Sequence, residues 1–140
     1  MNERAQFWSK LDKEIMTRTL EQFKSEPTLL VVDDTQLPRK SEKIPFVTKA
    51  YDHCENKFQN VQVVLTIGSV SGGNILAIRD AVFKRSTSSE QQLTKNDQLI
   101  QWLKDNARKI KGSTLLGDSW FTHSYIVKAA VKWYGMKFIG

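Results

Sequence analysis

The run of residues 28–34, Thr-Leu-Leu-Val-Val-Asp-Asp, constrains the fold more than any other part of this sequence. It is short, continuously apolar and rich in β-branched residues, which is typical of a strand buried on both faces. Such a strand needs helices on each side of its sheet, so an α/β fold is predicted. The run ends in two acidic residues, which indicate that the chain is no longer fully buried at this point.

The remaining pattern predicts a mixed sheet with flanking helices. Apolar residues recur every three or four positions before Pro27, which predicts an N-terminal helix. Residues 35–60 carry mixed charges with little periodicity and are predicted to form one long functional loop. The further predicted elements are a hairpin (61–70 and 75–83) around the turn 71–74, a helix (96–110) opened by a capping box at 87–90, a strand (114–118), a helix that Thr122 or Ser124 caps, and a strand (136–139).

Length and composition indicate a single ordinary globular domain. The 140 residues are 40% hydrophobic and 26% charged, and no run approaches the ~20 apolar residues of a membrane span. No secretory signal is visible, and the single cysteine gives neither a disulfide nor a zinc cluster. A cytoplasmic protein without a membrane partner is therefore expected. The net charge of +6 favours polyanionic partners such as DNA.

Acids stand at the ends of two predicted strands: Asp33 and Asp34 after the first, and Asp118 after the strand at 114–118. Sites in α/β sheets form beyond the carboxyl ends of parallel strands, and neighbouring strands lie about 4.8 Å apart. If these two strands are neighbours, their carboxylates could share Mg²⁺ or Mn²⁺ ions. A metal site at this edge is one interpretation of the pattern.

A structural interpretation of the same acids stays open. An aspartate that follows a strand often serves as a helix cap or forms an Asx turn, and an ordinary α/β domain with capping acids would show the same pattern. Because side chains alternate along a strand, Asp33 and Asp34 point to opposite faces, and only one can enter a given site. The residues alone do not choose between them.

Three segments resemble successive landmarks of DDE-type insertion-sequence transposases: Val-Val-Asp-Asp-Thr at 31–35, Tyr-Asp-His at 51–53, and Leu-Gly-Asp-Ser-Trp-Phe at 116–121. The resemblance spans residues 28–140. It implies a ribonuclease H-like fold, in which an antiparallel hairpin and parallel strands form one mixed sheet with flanking helices. The chain is then expected to be a single partial catalytic domain, with an N-terminal helix (1–25), a core (28–140) and an incomplete C-terminal side.

The resemblance also implies a chemistry. Asp34 and Asp118 would be the first two catalytic acids and would hold two Mg²⁺ or Mn²⁺ ions. The family's third acid, a glutamate on a later helix, has no counterpart here. The implied activity is metal-dependent strand nicking and strand transfer in DNA transposition, with little or no activity expected of this chain alone. The alternative is a non-catalytic ribonuclease H-like remnant that binds nucleic acid or an intact transposase.

Further residues have weaker claims. Asp33 and His53 are candidate accessory groups at the metal site. Five basic residues of the predicted loop could contact a DNA backbone, although a solvated charged loop explains them equally well: Arg39, Lys40, Lys43, Lys49 and Lys57. Trp120 and Phe121 are expected to pack the corner after the strand at 114–118. The expected partners are DNA and a second copy of the chain or a full-length transposase.

Overall fold

The computed structural model describes residues 3–22, 29–71, 73–82 and 94–140. The elements in chain order are α1 (Glu3–Gln22), β1 (Leu29–Pro38), β2 (Thr48–Asp52), β3 (Lys57–Ser71), β4 (Asn74–Val82), α2 (Lys95–Ile110), β5 (Thr114–Gly117), α3 (Ser124–Lys128) and β6 (Lys137–Ile139). A π-helical segment, Ala129–Trp133, continues α3. No helix in these ranges is both long and apolar enough to cross a bilayer.

The strands form one mixed sheet in the order β2-β3-β1-β5-β6, with β4 also paired to β3. β3 is antiparallel to β1, β2 and β4, whereas β1, β5 and β6 run parallel. β2 pairs with the first residues of β3, and β4 pairs with the later ones, so two strands share one edge of β3. The predicted α/β class with an antiparallel hairpin and parallel strands is confirmed.

The prediction of a long loop at 35–60 is wrong. β1 continues to Pro38, β3 begins at Lys57, and β2 lies between them; the β1–β3 register runs without interruption to Pro38↔Val61. We call residues 35–62 the β-arm. Apart from Val61, none of its residues is buried, so burial imposes no alternation of apolar and polar residues on its sequence. Pairing with distant strands therefore forms structure that the local pattern does not indicate.

The core lies between the sheet and α2. The buried side of α2 packs on alternate residues of three neighbouring strands, and the cluster includes Leu99 and Leu103 from α2, Leu30 and Val32 from β1, Leu65 and Ile67 from β3, and Leu115 from β5. Each strand buries every second residue there, as the pleat requires. α1 also contacts the sheet, at β4, and its Met16 packs partly against the same core.

Local contacts fix the start of α2, whereas the start of α3 has no side-chain cap. The capping box predicted at 87–90 lies outside the described residues. The N-cap of α2 is Thr94, whose side chain accepts from the Asp97 N–H, while the Asp97 carboxylate accepts from the Thr94 N–H. Gly112 follows the helix with φ +85°, a conformation that favours glycine. α3 differs from the prediction: His123, not Thr122 or Ser124, is the N-cap, and its side chain makes no capping hydrogen bond.

Candidate functional site

β5 ends beside the middle of β1, which continues to Pro38, so the prediction that Asp33 and Asp34 end their strand is wrong. These strands are parallel neighbours, and their last paired residues are Val32 and Gly117. Asp33 directly follows Val32, and Asp118 directly follows Gly117. Because parallel neighbours are about 4.8 Å apart, the acids of both strands lie near the same end of the β1–β5 pairing. The condition on which the predicted metal site depends, that these two strands are neighbours, is met.

Gly117 shapes the chain immediately before Asp118. A Cβ atom added to Gly117 would lie 3.0 Å from Phe121 Cβ and 3.2 Å from Val32 Cγ1. The missing side chain therefore lets Phe121 fold back over the end of β5, where it is fully buried. The expectation of a core role is confirmed for Phe121 but wrong for Trp120, which is 56% exposed because the turn directs adjacent residues to opposite sides.

Asp118 organises the turn that follows β5. Its Oδ1 accepts a hydrogen bond from the Trp120 backbone N–H at 2.9 Å, which makes an Asx turn. Its backbone carbonyl accepts from the Phe121 N–H and from the Thr122 hydroxyl, each at 3.0 Å. The turn-forming role that the sequence left open is therefore real. It occupies one carboxylate oxygen, and Oδ2 receives no hydrogen bond from any described residue.

Asp33 and Asp34 have different surroundings. Asp34 follows Leu30 and Val32 at intervals of two and lies on the face of the sheet that α2 covers, where its side chain is only 17% exposed. Asp33 is exposed, and its Oδ1 accepts a hydrogen bond from the Asp34 N–H at 2.8 Å. Of the two adjacent acids, Asp34 is thus the one that lies among the groups of α2.

Lys95 contacts both Asp34 and Trp120, and the sequence pattern did not identify it. Its Nζ lies 2.8 Å from Asp34 Oδ2 and 4.7 Å from the centre of the Trp120 ring, a cation–π distance. Trp120 in turn donates its backbone N–H to Asp118, so one set of contacts runs from Asp34 to Asp118. A signal existed: a lysine in the first turn of a helix opposes the helix dipole and implies a nearby acid.

The donor set is compatible with a hard divalent cation. Asp34 Oδ1 and Asp118 Oδ2 accept no hydrogen bond from described residues, and carboxylate oxygens are the ligands that Mg²⁺ and Mn²⁺ prefer. Across residues 3–22, 29–71, 73–82 and 94–140, no group of three or more His, Cys, Asp or Glu side chains forms a metal site. Two carboxylates would leave most of the coordination sphere to water and substrate oxygens.

His53 lies away from these acids. It occupies the turn between β2 and β3, beside Asp52, which pairs with Lys57, whereas Asp34 pairs with Leu65. Eight residues of strand separate the two positions, about 26 Å along β3. The His53 ring contacts Tyr51 edge to face at 5.0 Å. The structure therefore does not bring His53 close to Asp34.

The five basic residues all lie on the β-arm, but their environments differ. Lys49 pairs with Glu42 at 3.3 Å, and Lys57 pairs with Glu55, whose hydrogen bond and charge raise the pKa of Lys57 above its usual value. Arg39 donates from Nε to Gln62 Oε1 at 2.7 Å. Among the described residues, nothing pairs with the side chains of Lys40 and Lys43. These two exposed lysines are the ones most available to a polyanion.

Comparison of the chain with protein-family models, with curated proteins and with solved structures gave no significant match.

Proposed function

We propose that this chain provides two metal-binding acids of a DDE-type DNA transposase with a ribonuclease H-like core. The mixed sheet supports the proposal, because it combines an antiparallel hairpin (β3 and β4) with parallel strands (β1, β5 and β6), as expected for such a core. The observation that carries most weight is the position of Asp34 and Asp118 on two adjacent parallel strands: Asp34 lies in β1 two residues after its last pair with β5, and Asp118 directly follows β5.

In this proposal the two carboxylates bind the metal ions and orient them beside the end of β5. Bound Mg²⁺ or Mn²⁺ supplies Lewis acidity for phosphoryl transfer, by activating an attacking water or 3′-hydroxyl and stabilising the leaving oxygen. The Asx turn fixes the orientation of Asp118, and burial beneath α2 fixes that of Asp34. Phe121 and Gly117 set the path of the chain between β5 and the turn.

Direct metal binding tests the proposal. We expect weak Mn²⁺ binding, measurable by water-proton relaxation, and a loss of at least about tenfold in affinity in Asp34→Asn and in Asp118→Asn, because each substitution removes an anionic oxygen ligand. Asp33→Asn is the matched control, since it alters the adjacent acid that is exposed. Unchanged affinity in both test variants, or a loss only in Asp33→Asn, would contradict the assignment.

A non-catalytic nucleic-acid-binding role is the second candidate, and the β-arm favours it. Lys40 and Lys43 are exposed cations without acidic partners among the described residues, and the aromatic rings of Tyr51 and Phe58 are exposed on the same arm. Cations can contact phosphates, and exposed rings can stack on unpaired bases. DNA binding without Mn²⁺ binding would favour this role over the transposase chemistry.

DNA binding should be weak, tolerant of sequence and strongly dependent on salt. We expect the double variant Lys40→Ala/Lys43→Ala to reduce the slope of log affinity against log salt by about 2, because each alanine removes one cation that faces a phosphate. Binding to random duplexes at several salt concentrations measures it. The control is Lys104→Ala/Lys109→Ala, which removes two exposed lysines from α2. An equal reduction of the slope in both double variants, or no DNA binding at low salt, would contradict a DNA-binding role of the β-arm.

A further inference from the structure

The ion pair between Lys95 and Asp34 is the most enclosed one that the described residues form. Both side chains are more than four-fifths buried, with 19% and 17% exposed, whereas the other ion pairs have side chains at least 57% exposed. Enclosed charges are screened less by water and salt than surface charges. The ammonium therefore neutralises Asp34 much more effectively than a surface lysine would.

Two further features hold Lys95 in place. The capping box formed by Thr94 and Asp97 fixes the first turn of α2, where Lys95 is the first residue. The Trp120 ring, from the turn that Asp118 organises, lies 4.7 Å from the ammonium. Lys104, nine residues later on the same helix, is exposed and has no such partners among the described residues. Lys95 is thus specifically anchored between Asp34 and the turn that follows β5.

We infer that Lys95 is a resident cation that competes with the divalent ion for Asp34, an inference that rests on the metal site proposed above. The Lys95 ammonium lies 2.8 Å from Asp34 Oδ2. A divalent ion bound to Asp34 would lie within a few ångströms of this ammonium, and the two cations would repel each other because little water separates them. Metal binding therefore displaces the ammonium from Oδ2. The metal-free chain keeps Asp34 compensated, and this compensation lowers the affinity for metal.

Measurements of metal affinity in Lys95 variants test the competition and require no assay of enzymatic activity. Lys95→Met keeps a chain of similar length without the charge and should tighten Mn²⁺ binding about tenfold, since it removes a charge-assisted hydrogen bond that the metal must break. Lys95→Arg retains a cation and should bind Mn²⁺ nearly as the wild type does. Lys104→Met is the matched control and should leave the affinity unchanged.

The outcomes separate this inference from the proposed function. If Asp34→Asn weakens Mn²⁺ binding but Lys95→Met leaves it unchanged or weakens it, Lys95 is not a competitor and only the inference fails. If the wild type and Lys95→Met bind no Mn²⁺ at all, the metal site itself fails, and the inference fails with it. Tighter binding in Lys95→Met that disappears again in Lys95→Met/Asp34→Asn supports the competition.

A measurement on the wild-type chain avoids dependence on the stability of a variant. The ε-methylene signal of Lys95 in a ¹H–¹³C spectrum, assigned by its disappearance in Lys95→Arg, should shift as diamagnetic Mg²⁺ is added. The Lys104 signal should stay in place, and Asp34→Asn should abolish the shift of Lys95. A Lys95 signal that remains unmoved while Mg²⁺ saturates the site would overturn the inference.

Discussion

Replacing Phe121 by alanine should lower the free energy of unfolding by about 3–5 kcal/mol, the usual range for removing a buried aromatic ring. Phe121 is fully buried and belongs to the same cluster as Leu30, Leu115 and Ile126. The surrounding groups come from different elements of the sheet and from α3, so they cannot all move to fill the space. Urea denaturation monitored by circular dichroism measures the change.

Trp120→Ala is the control, because it removes a larger ring from the adjacent position. Trp120 is 56% exposed, and its described cation–π contact with Lys95 contributes about 0.5–1 kcal/mol. We therefore expect a much smaller loss of stability than for Phe121→Ala. Comparable losses in the two variants would mean that the corner after β5 is packed differently from the description above.

Supercoiled plasmid should remain intact when it is incubated with the purified chain and Mn²⁺. Among the described residues, Asp34 and Asp118 have no third acidic or histidine ligand beside them, and Lys95 already pairs with Asp34. Loss of a single preorganised electrostatic group at an active site typically lowers the rate by about 10²–10³. Nicking should therefore stay at the level of the metal-free control over ordinary incubation times.

The plasmid assay is read as the fraction of relaxed circles with Mn²⁺ and with a chelator. Asp34→Asn and Asp118→Asn should be indistinguishable from the wild type, since all three are expected to be inactive. Metal-dependent nicking that both substitutions abolish would mean that another acid of this chain completes the site. Glu90 lies outside the described residues, and Glu90→Gln would then be the first variant to examine.

The adjacency of β1 and β5 could be predicted because it depends on local apolar runs, but the end of β1 could not, since the strand continues four residues beyond Asp34 by pairing with β3. The runs before both acids indicate buried strands, and buried strands of an α/β sheet direct their carboxyl ends to a common edge. The resemblance to transposases assigned Asp34, whereas the alternation of side chains shows only that Asp33 and Asp34 differ. Which of the two lies beneath α2 depends on the face that this helix covers, and the contact of Asp34 with Lys95 spans 61 positions of sequence.

The β-arm and the pair Trp120 and Phe121 show where sequence patterns carry no signal. Strand pairing in the β-arm joins residues such as Pro38 and Val61, and many of its side chains are exposed, so no period of two marks the strands. The two aromatic residues have similar hydrophobicity, yet only Phe121 is buried. The Asx turn at Asp118 and the absence of a side chain at Gly117 decide between them.

Because the register between β1 and β3 is unbroken, the length of the β-arm can change without moving Asp34. The paired positions continue from Asp34↔Leu65 to Pro38↔Val61 without a bulge. An insertion or deletion of two residues in each strand beyond Asp34 changes the arm by about 7 Å and keeps every side chain on its original face. A change of one residue reverses the faces of all residues beyond it. The length of this arm can therefore vary during evolution in steps of two residues while the positions of Asp34 and Asp118 stay constant.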